Sequence, residues 1–214
     1  MERSTTSEAK AVQRPRRVAL LGSTGSIGCS SLDVIARLSE ELTAFALVAG
    51  SNLEALVEQT LAARPRIVGL ADPAREGELR ARLAGRWDGE IWCGPDVGER
   101  VAALPEVDVV LNGLVGAAGL RPSWAALSRG KTVALANKES LVIAGACLTR
   151  EAERTGAWLL PVDSEHNGLF QLLEGSRAGA VRRTVLTASG GPFRERDLAT
   201  FESITPQEAL NHPT

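Results

Sequence analysis

The sequence lacks the features that mark membrane, nucleic-acid-binding and disulfide-crosslinked proteins. Its 24 Lys and Arg residues against 26 Asp and Glu residues give a formal charge of −2, so no basic field attracts nucleic acid or an anionic membrane surface. No apolar run approaches the roughly 18 residues that a membrane-spanning helix needs. The three cysteines form no CxxC pair, which argues against a disulfide framework or zinc knuckle and favours a reducing cytoplasm.

The N-terminal segment also lacks the apolar core of a secretory signal. Residues 1–16, MERSTTSEAKAVQRPR, are polar and charged, and we predict a disordered tail there. The Ser, Thr and Arg content leaves an organellar transit peptide as an alternative, although Glu2 and Glu8 are unusual in such peptides.

Beyond this tail, short apolar runs alternate with amphipathic stretches, the pattern of a mostly parallel sheet wrapped by helices. The fold class is therefore α/β, with a Rossmann-like domain first. Strands are predicted at 17–21, 45–50, 66–71, 90–94, 107–113, 132–136, 157–162 and 183–188. Helices are predicted at 27–38, 52–63, 123–130 and 139–156. A domain boundary is expected near Leu160, where a nucleotide-binding unit is complete in length.

The glycine-rich stretch GSTGSIG, residues 22–28, follows an apolar strand directly and opens a predicted helix. This context favours a dinucleotide-binding loop, since glycines allow close approach of the backbone and the helix N-terminus offers N–H groups to a pyrophosphate. The spacing G-x-x-G-x-x-G is a variant of the usual motif, so a purely structural strand-to-helix turn remains the alternative.

The second predicted strand lacks the carboxylate that NAD-binding proteins use to bind the ribose 2′-OH. It ends instead in Gly50, Ser51 and Asn52, which would not repel a 2′-phosphate, and this favours NADP(H) over NAD(H). No arginine lies beside Ser51 in the sequence, so Arg64 or Arg66 could contribute only through the fold.

Two later strand ends carry polar residues, at the sheet edge where α/β proteins bind ligands. Asn137 and Glu139 suit the capped N-terminus of the next helix, whereas Lys138 between them is a candidate ligand for an anionic substrate group. Ser189 begins an SGG stretch whose N–H groups and hydroxyl could bind a phosphate, and a simple turn before Pro192 is equally consistent with it.

The stretch PVDSEHN places Asp163 and Glu165 around Ser164 and beside His166. Asp163 is a good N-cap for the following helix, and Glu165 suits its first turn. Two neighbouring carboxylates also favour a hard cation such as Mg²⁺ or Mn²⁺, and the two interpretations are compatible. A Ser–His–acid hydrolase is disfavoured because Ser164 lacks a G-x-S-x-G elbow.

Four stretches in this order, GSTGSIG, LANKESL, PVDSEHN and SGGPFR, followed by NHP, closely resemble the 1-deoxy-D-xylulose 5-phosphate reductoisomerase family. The resemblance implies an NADPH-dependent oxidoreductase and isomerase that uses Mg²⁺, Mn²⁺ or Co²⁺. It implies a small phosphorylated sugar as substrate, 2-C-methyl-D-erythritol 4-phosphate as product, a role in non-mevalonate isoprene biosynthesis, a homodimer and a bacterial cytoplasm.

Carried over by position, the resemblance implies roles for individual residues. Cofactor binding would fall to Thr24, Gly25, Ser26, Ile27, Gly50, Ser51, Asn52, Asn137 and Glu139. Substrate binding would fall to Lys138, Ser164, Ser189 and His212, metal binding to Asp163 and Glu165, and catalysis to Lys138, Asp163 and Glu165. Some family members have a basic residue where this chain has Ser51. The domains would be a tail at 1–16, an NADPH-binding domain at 17–160 and an incomplete catalytic domain at 161–214.

The chain stops at residue 214, whereas the family continues into a Trp-containing lid, further phosphate ligands, a third metal carboxylate and a helical domain. A hard cation prefers about six oxygen ligands, so we expect little or no turnover from this chain alone. A non-catalytic NADPH-binding module is therefore an alternative. A semialdehyde-type dehydrogenase is less consistent, since it needs a nucleophilic cysteine at a strand end and Cys147 falls within a predicted helix.

Overall fold

The computed structural model describes residues 14–177, 179–186 and 191–211. Its strands are β1 Arg16–Leu21, β2 Leu42–Ala49, β3 Ile67–Leu70, β4 Glu90–Cys93, β5 Val109–Asn112, β6 Thr132–Leu135 and β7 Leu159–Pro161. Its α-helices are α1 Ser26–Arg37, α2 Leu53–Ala63, α3 Glu76–Leu83, α4 Val97–Ala102, α5 Leu120–Leu127, α6 Lys138–Thr155, α7 Ser164–Glu174 and α8 Pro206–Leu210. Short 3₁₀ turns lie at Pro73–Arg75, Gly116–Gly119, Gly191–Phe193 and Leu198–Ser203.

The seven strands form one parallel sheet in the order β4-β3-β2-β1-β5-β6-β7. From β1 the chain winds first toward β4 and then returns to the other side of β1 with β5. This reversal opens a crevice at the carboxyl ends of β1 and β5, the usual ligand site of such sheets. The predicted α/β class with a Rossmann-like sheet is confirmed.

Both faces of the sheet are buried, because successive side chains of each strand point to opposite sides. In β1, Val18 and Leu20 join one buried cluster with α1, α2 and α3, whereas Ala19 and Leu21 join a second with α4, α5 and α6. The two clusters together form the hydrophobic core that holds the strand ends in register.

Seven of the eight predicted strands are present, with shifts of one to three residues at most ends. The eighth is wrong for residues 183–186, which form no strand, while 187 and 188 lie outside the described residues. A strand needs a hydrogen-bonding neighbour that its own sequence cannot supply. Helix α6 occupies the predicted position but is kinked at Ala144 (φ −144°, ψ 28°), beside Gly145.

The predicted disordered tail extends too far into the chain. Arg16 begins β1, and the guanidinium of Arg14 makes two hydrogen bonds to the carboxylate of Asp108, at 2.6 and 2.9 Å. This bidentate ion pair orders the backbone before the first strand. Residues 1–13 lie outside the described part of the chain.

The chain divides into two compact units between Val162 and Asp163, two residues after the boundary expected from the sequence. Pro161 pairs with Leu135 in the sheet, and the N–H of Val162 donates to the Leu135 carbonyl at 3.0 Å, so β7 belongs to the first unit. All three cysteines are free thiols. Within the described residues, no helix has the length and apolar character needed to cross a bilayer.

Candidate functional site

The glycine-rich loop leaves β1 at the sheet's carboxyl edge and ends in α1. The N–H groups of Gly22 and Ser23 donate to the Val48 carbonyl at 2.8 and 3.0 Å, which ties the loop to β2. Gly25 is the N-cap of α1 and supplies no side-chain hydrogen bond, and the first turn of α1 contains no acidic residue. The partial positive charge of this helix end is therefore left for an external anion.

Two glycines of the loop cannot be replaced without moving backbone. A Cβ on Gly28 would lie 2.3 Å from the Ser23 carbonyl oxygen, and a Cβ on Gly22, whose φ is +84°, would lie 2.8 Å from the Gly113 oxygen. The loop is also held by Gln59 of α2, whose side-chain amide donates to the Ser23 carbonyl at 2.8 Å. Thr24 is half-buried, while Gly25, Ser26 and Ile27 are exposed.

Strand β2 pairs in parallel with β1. Gly50, Ser51 and Asn52, which follow β2, therefore lie at the same sheet edge as the glycine loop. All three are exposed, and the Asn52 side chain caps α2 by accepting from the Ala55 N–H at 3.2 Å. A guanidinium does reach this place through the fold: Arg75 Nη1 donates to the Ser51 carbonyl at 2.6 Å.

The arginines suggested by the sequence for this position are not the ones that reach it. Arg64 follows the C-terminus of α2, and Arg66 precedes β3 and pairs with Glu90 at 2.9 Å. Both therefore lie toward the amino end of β3, whereas Arg75 follows its carboxyl end. The Asp72-Pro73 pair, which opens the 3₁₀ turn after β3, indicates a turn from the sequence alone. It does not indicate that Arg75, at the end of this turn, reaches Ser51.

Asn137 is buried, and its side chain hydrogen-bonds to several segments at the ends of β5 and β6. Its side-chain oxygen caps α6 by accepting from the N–H and hydroxyl of Ser140. Its amide donates to the carbonyls of Leu114 and Gly116 at 2.7 and 2.9 Å, and to a Glu139 carboxylate oxygen at 3.1 Å. Because it is only 1% exposed, Asn137 fixes the loop after β5 rather than offering a free group.

Asn112 and Gly119 complete this network and were missed by the sequence analysis. The Asn112 amide, at the end of β5, donates to the Gly119 carbonyl and the Ser123 hydroxyl at 2.7 and 2.8 Å. A Cβ on Gly119 would lie 2.5 Å from the Asn137 side chain. The sequence does carry a signal for Asn112, since it is a polar residue at the end of an apolar strand.

Lys138 differs from its neighbours because it is exposed at the start of α6. Its ammonium group makes no ion pair with any residue that the structure describes. Glu139 is half-buried and accepts the Asn137 hydrogen bond. At the same sheet edge, a cavity of about 260 Å³ is lined in part by Gly50, Ala71 and Leu114.

In the second unit, Asp163 caps α7, as predicted. One carboxylate oxygen accepts from the His166 backbone N–H at 3.0 Å and lies 2.5 Å from His166 Nδ1. Burial alone would raise the Asp163 pKa, but these contacts with the backbone and ring of His166 outweigh it and lower the pKa. Ser164 and Glu165 are exposed in the first turn, and their predicted substrate and metal roles stay predictions.

Across residues 14–177, 179–186 and 191–211, no group of three or more His, Cys, Asp or Glu residues is arranged to hold a metal ion. Asp163 and Glu165 supply oxygen ligands of the kind that Mg²⁺ and Mn²⁺ prefer, but only two side chains toward about six positions. The predicted substrate residues Ser189 and His212 lie outside the described residues.

Comparison with known proteins places this arrangement in a family. The family model for 1-deoxy-D-xylulose 5-phosphate reductoisomerase matches residues 18–145, and the model for the C-terminal domain of the same enzyme matches residues 159–214. The chain belongs to the 1-deoxy-D-xylulose 5-phosphate reductoisomerase family.

Curated reductoisomerases from Oleidesulfovibrio alaskensis and Methylococcus capsulatus are each 49% identical to the chain, over 93% and 92% of it. The aligned regions make up 49% and 52% of those two proteins. The chain thus spans about half the length of the curated reductoisomerases it matches.

Solved reductoisomerase structures share the fold as well. The enzyme from Zymomonas mobilis in complex with NADPH matches with a TM-score of 0.82 at 41% identity, over 94% of this chain and 52% of that one. A reductoisomerase in complex with NADPH, fosmidomycin and magnesium matches with a TM-score of 0.78 at 32% identity, over 92% and 51%.

Proposed function

We propose that this chain forms the NADPH-binding part and one edge of the metal site of a reductoisomerase. That enzyme converts 1-deoxy-D-xylulose 5-phosphate to 2-C-methyl-D-erythritol 4-phosphate in the bacterial cytoplasm. The observation that carries the proposal is the glycine-rich loop, whose backbone leads into an uncapped helix N-terminus with no acidic residue in its first turn. Family membership and the NADPH bound in the Zymomonas mobilis relative support it.

The cofactor would be bound chiefly by backbone. Thr24, Gly25, Ser26 and Ile27 would surround its phosphates. Ser26 and Ile27 would present N–H groups because they open α1 without a competing side-chain cap. The Gly25 N–H already donates to the Gly22 carbonyl at 3.0 Å, so Gly25 would contribute by allowing close approach of the backbone. Gly50, Ser51 and Asn52, exposed at the end of β2, would contact the adenosine end. Asn137 would act indirectly, since its bonds to Leu114 and Gly116 fix the loop that borders the site.

The substrate and metal would be bound by charged side chains. Lys138 would bind an anionic part of the substrate, since its ammonium group is exposed at the sheet's carboxyl edge. Asp163 and Glu165 would hold Mg²⁺, Mn²⁺ or Co²⁺, and Ser164, Ser189 and His212 would contact the sugar phosphate. When bound, NADPH supplies the hydride and the cation supplies Lewis acidity toward the substrate oxygens.

A second candidate function is NADPH binding without turnover. It is favoured by the metal site, to which the described residues bring only two carboxylates, Asp163 and Glu165. A semialdehyde-type dehydrogenase is not supported: Cys147 is an exposed residue of α6. Cys93 ends the edge strand β4, but burial and the nearby Glu76 raise its pKa, which disfavours a reactive thiolate.

Calorimetric titration with NADPH, followed by NADPH oxidation at 340 nm with 1-deoxy-D-xylulose 5-phosphate and Mn²⁺, tests both candidates. The full-length Oleidesulfovibrio alaskensis relative is the positive control. Binding with turnover supports the reductoisomerase acting from this chain alone, and binding without turnover supports the second candidate. A folded chain that binds no NADPH would contradict both. Homodimerisation, implied by the resemblance, stays a prediction that sedimentation velocity checks.

Gly28→Ala is the sharpest variant for the loop. The added Cβ would overlap the Ser23 carbonyl, so the loop must shift, and we expect NADPH affinity to fall by at least about tenfold because charge-assisted backbone bonds to phosphate are lost. Gly77→Ala in α3 is the matched control, since no heavy atom lies within 4 Å of its Cβ position. Equal NADPH affinities for the two variants would argue against phosphate binding by this loop.

A further inference from the structure

The adenosine end of the proposed site poses a charge problem, because a 2′-phosphate carries about two negative charges and is normally met by an arginine or lysine. Gly50, Ser51 and Asn52, which follow β2, supply no positive charge. Selection of NADPH over NADH therefore needs a cation from elsewhere in the fold. The inference below rests on the proposed NADPH binding.

Arg75 is a cation that the fold brings to the end of β2. It ends the 3₁₀ turn Pro73–Arg75 after β3, whose start is fixed by the Asp72 side chain accepting from the Ala74 N–H at 3.0 Å. From there Arg75 Nη1 reaches across to the Ser51 carbonyl at 2.6 Å. Since β3 pairs with β2 along Ala46 to Ala49, the sheet register sets this distance.

The guanidinium retains the capacity to bind a phosphate. Nε and Nη2 both donate to one carboxylate oxygen of Glu78, at 3.1 and 3.0 Å. An Arg side chain has five N–H donors. The hydrogen bonds to Ser51 and Glu78 use three of them, so two remain without a partner among the described residues. The Arg75 side chain is 36% exposed, which leaves part of it open to a ligand.

Nearby acidic groups do not cancel this charge. Glu78 is 48% exposed and pairs with Arg75 on the surface, where ion pairs are weak and readily exchanged. Glu54, in the first turn of α2, lies 3.4 Å from Arg82. Asp72 is engaged with the Ala74 backbone. A phosphate presents a larger charge and three acceptor oxygens to a guanidinium than a single carboxylate does.

We propose that Arg75, held beside Ser51 by the register of β3 on β2, is the ligand of the 2′-phosphate and the residue that selects NADPH over NADH in this chain. The Ser51 hydroxyl donates a second bond to the same phosphate. Specificity at the end of β2 thus comes from the neighbouring strand rather than from the β2 loop itself.

The test is calorimetric titration of the full chain with NADPH, NADH, 2′,5′-ADP and 5′-AMP. For Arg75→Met we expect NADPH and 2′,5′-ADP affinity to fall by about 10- to 100-fold, the usual effect of one charge-assisted contact. Affinity for NADH and 5′-AMP should change by less than about threefold, because neither carries the phosphate. Arg75→Lys, which keeps the charge without the forked donors, should lose less.

Arg82→Met is the matched control, since it removes the same charge from a side chain that is 38% exposed and pairs with Glu54 rather than reaching Ser51. It should leave all four affinities unchanged. If the parent chain binds neither NADPH nor 2′,5′-ADP, the proposed function fails as well. If it binds NADPH and Arg75→Met leaves the NADPH-to-NADH ratio unchanged, this inference alone is overturned. Thermal unfolding of each variant separates lost binding from lost folding.

Discussion

The two compact units of the chain are stabilised in different ways. Residues 14–162 bury two hydrophobic clusters, one on each face of the seven-stranded sheet. In the second unit, by contrast, no described residue between 163 and 211 is buried. The first unit therefore meets the usual condition for independent folding, a core of its own.

The second unit instead relies on local contacts, which include a pair of rings, Phe193 and Phe201, with centroids 6.4 Å apart. Side chains cap three of its helical segments, through Asp163, Asp197 and Thr205, and Arg196 donates to Glu208 at 2.6 Å. Each contact joins residues close in sequence. A side-chain cap typically contributes about 1 kcal/mol, and ion pairs on the surface are weak. The proposed NADPH ligands all lie on the first unit, whereas the proposed metal ligands Asp163 and Glu165 lie on the weakly stabilised second one.

Leucine-to-alanine substitutions should give the largest difference in stability loss between the two units. Leu47→Ala removes a fully buried side chain of β2, and we expect the free energy of unfolding to fall by about 4 kcal/mol. Leu172→Ala in α7, 70% exposed, should change it by less than about 0.5 kcal/mol. All four tryptophans lie in residues 14–162, so urea unfolding followed by fluorescence measures the first unit. Similar losses for both variants would contradict the contrast.

Two asparagine caps within the first unit differ in burial, since Asn137 is buried and Asn52 is exposed. Asn137→Ala leaves the partly buried carbonyls of Leu114 and Gly116 without their donors and uncaps α6, so we expect a loss of about 2 kcal/mol in thermal or urea unfolding. Asn52→Ala removes one exposed cap bond to Ala55 and should cost about 0.5–1 kcal/mol. Equal costs would mean that the Asn137 network contributes nothing beyond its cap.

The sequence predicted the interior of the first unit well, because apolar runs bounded by polar turns carry the period of a buried strand. It did not predict α3 and α4. The first has four charged residues among eight, and the second spans only six residues, which is too short for a helical period to show.

The candidate site was predictable only where it is local in sequence. The glycine loop and the Asp163 cap each lie within a few residues, so their spacing reveals them. Arg75 and Arg14 could not be found in this way, because their partners Ser51 and Asp108 lie 24 and 94 residues away and depend on strand register. The sequence predicted Asn137 correctly as the cap of the helix after β6. It did not predict that Asn137 is almost fully buried, because this burial comes from the loop packed over it.

Acid titration should distinguish a carboxylate that joins strands from one that does not. The Arg14 hydrogen bond, aided by the Arg17 N–H and opposed by burial, lowers the Asp108 pKa to about 2. A pKa lowered on folding stabilises the protein above the ordinary value of 3.8, and this stability is lost as the pH falls toward 2. Asp108→Asn should therefore cost about 1 kcal/mol at pH 7 in urea unfolding and reduce its pH dependence below 4.

The control for this variant is Asp88→Asn. Asp88 is 98% exposed and lies 3.8 Å from Arg64, so its removal should leave both the stability and the acid profile unchanged. An acid profile of Asp108→Asn that matches the parent chain would show that Asp108 does not couple the N-terminal arginines to the sheet.

The smallest effect should come from Glu208 in the second unit. Hydrogen bonds from the Thr205 N–H and hydroxyl, together with Arg196, lower its pKa to about 2. Its contribution is therefore present above the ordinary value of 4.5 and lost as the pH falls toward 2. Because Glu208 is a surface residue that closes a capping box on α8, its titration should fray that helix without unfolding the sheet.

Hydrogen exchange should show α8 amides losing protection below pH 4.5. Glu208→Gln should abolish that pH dependence, whereas the control Glu202→Gln should keep it. Loss of tryptophan fluorescence in the same pH range for Glu208→Gln alone would instead mean that the two units unfold together.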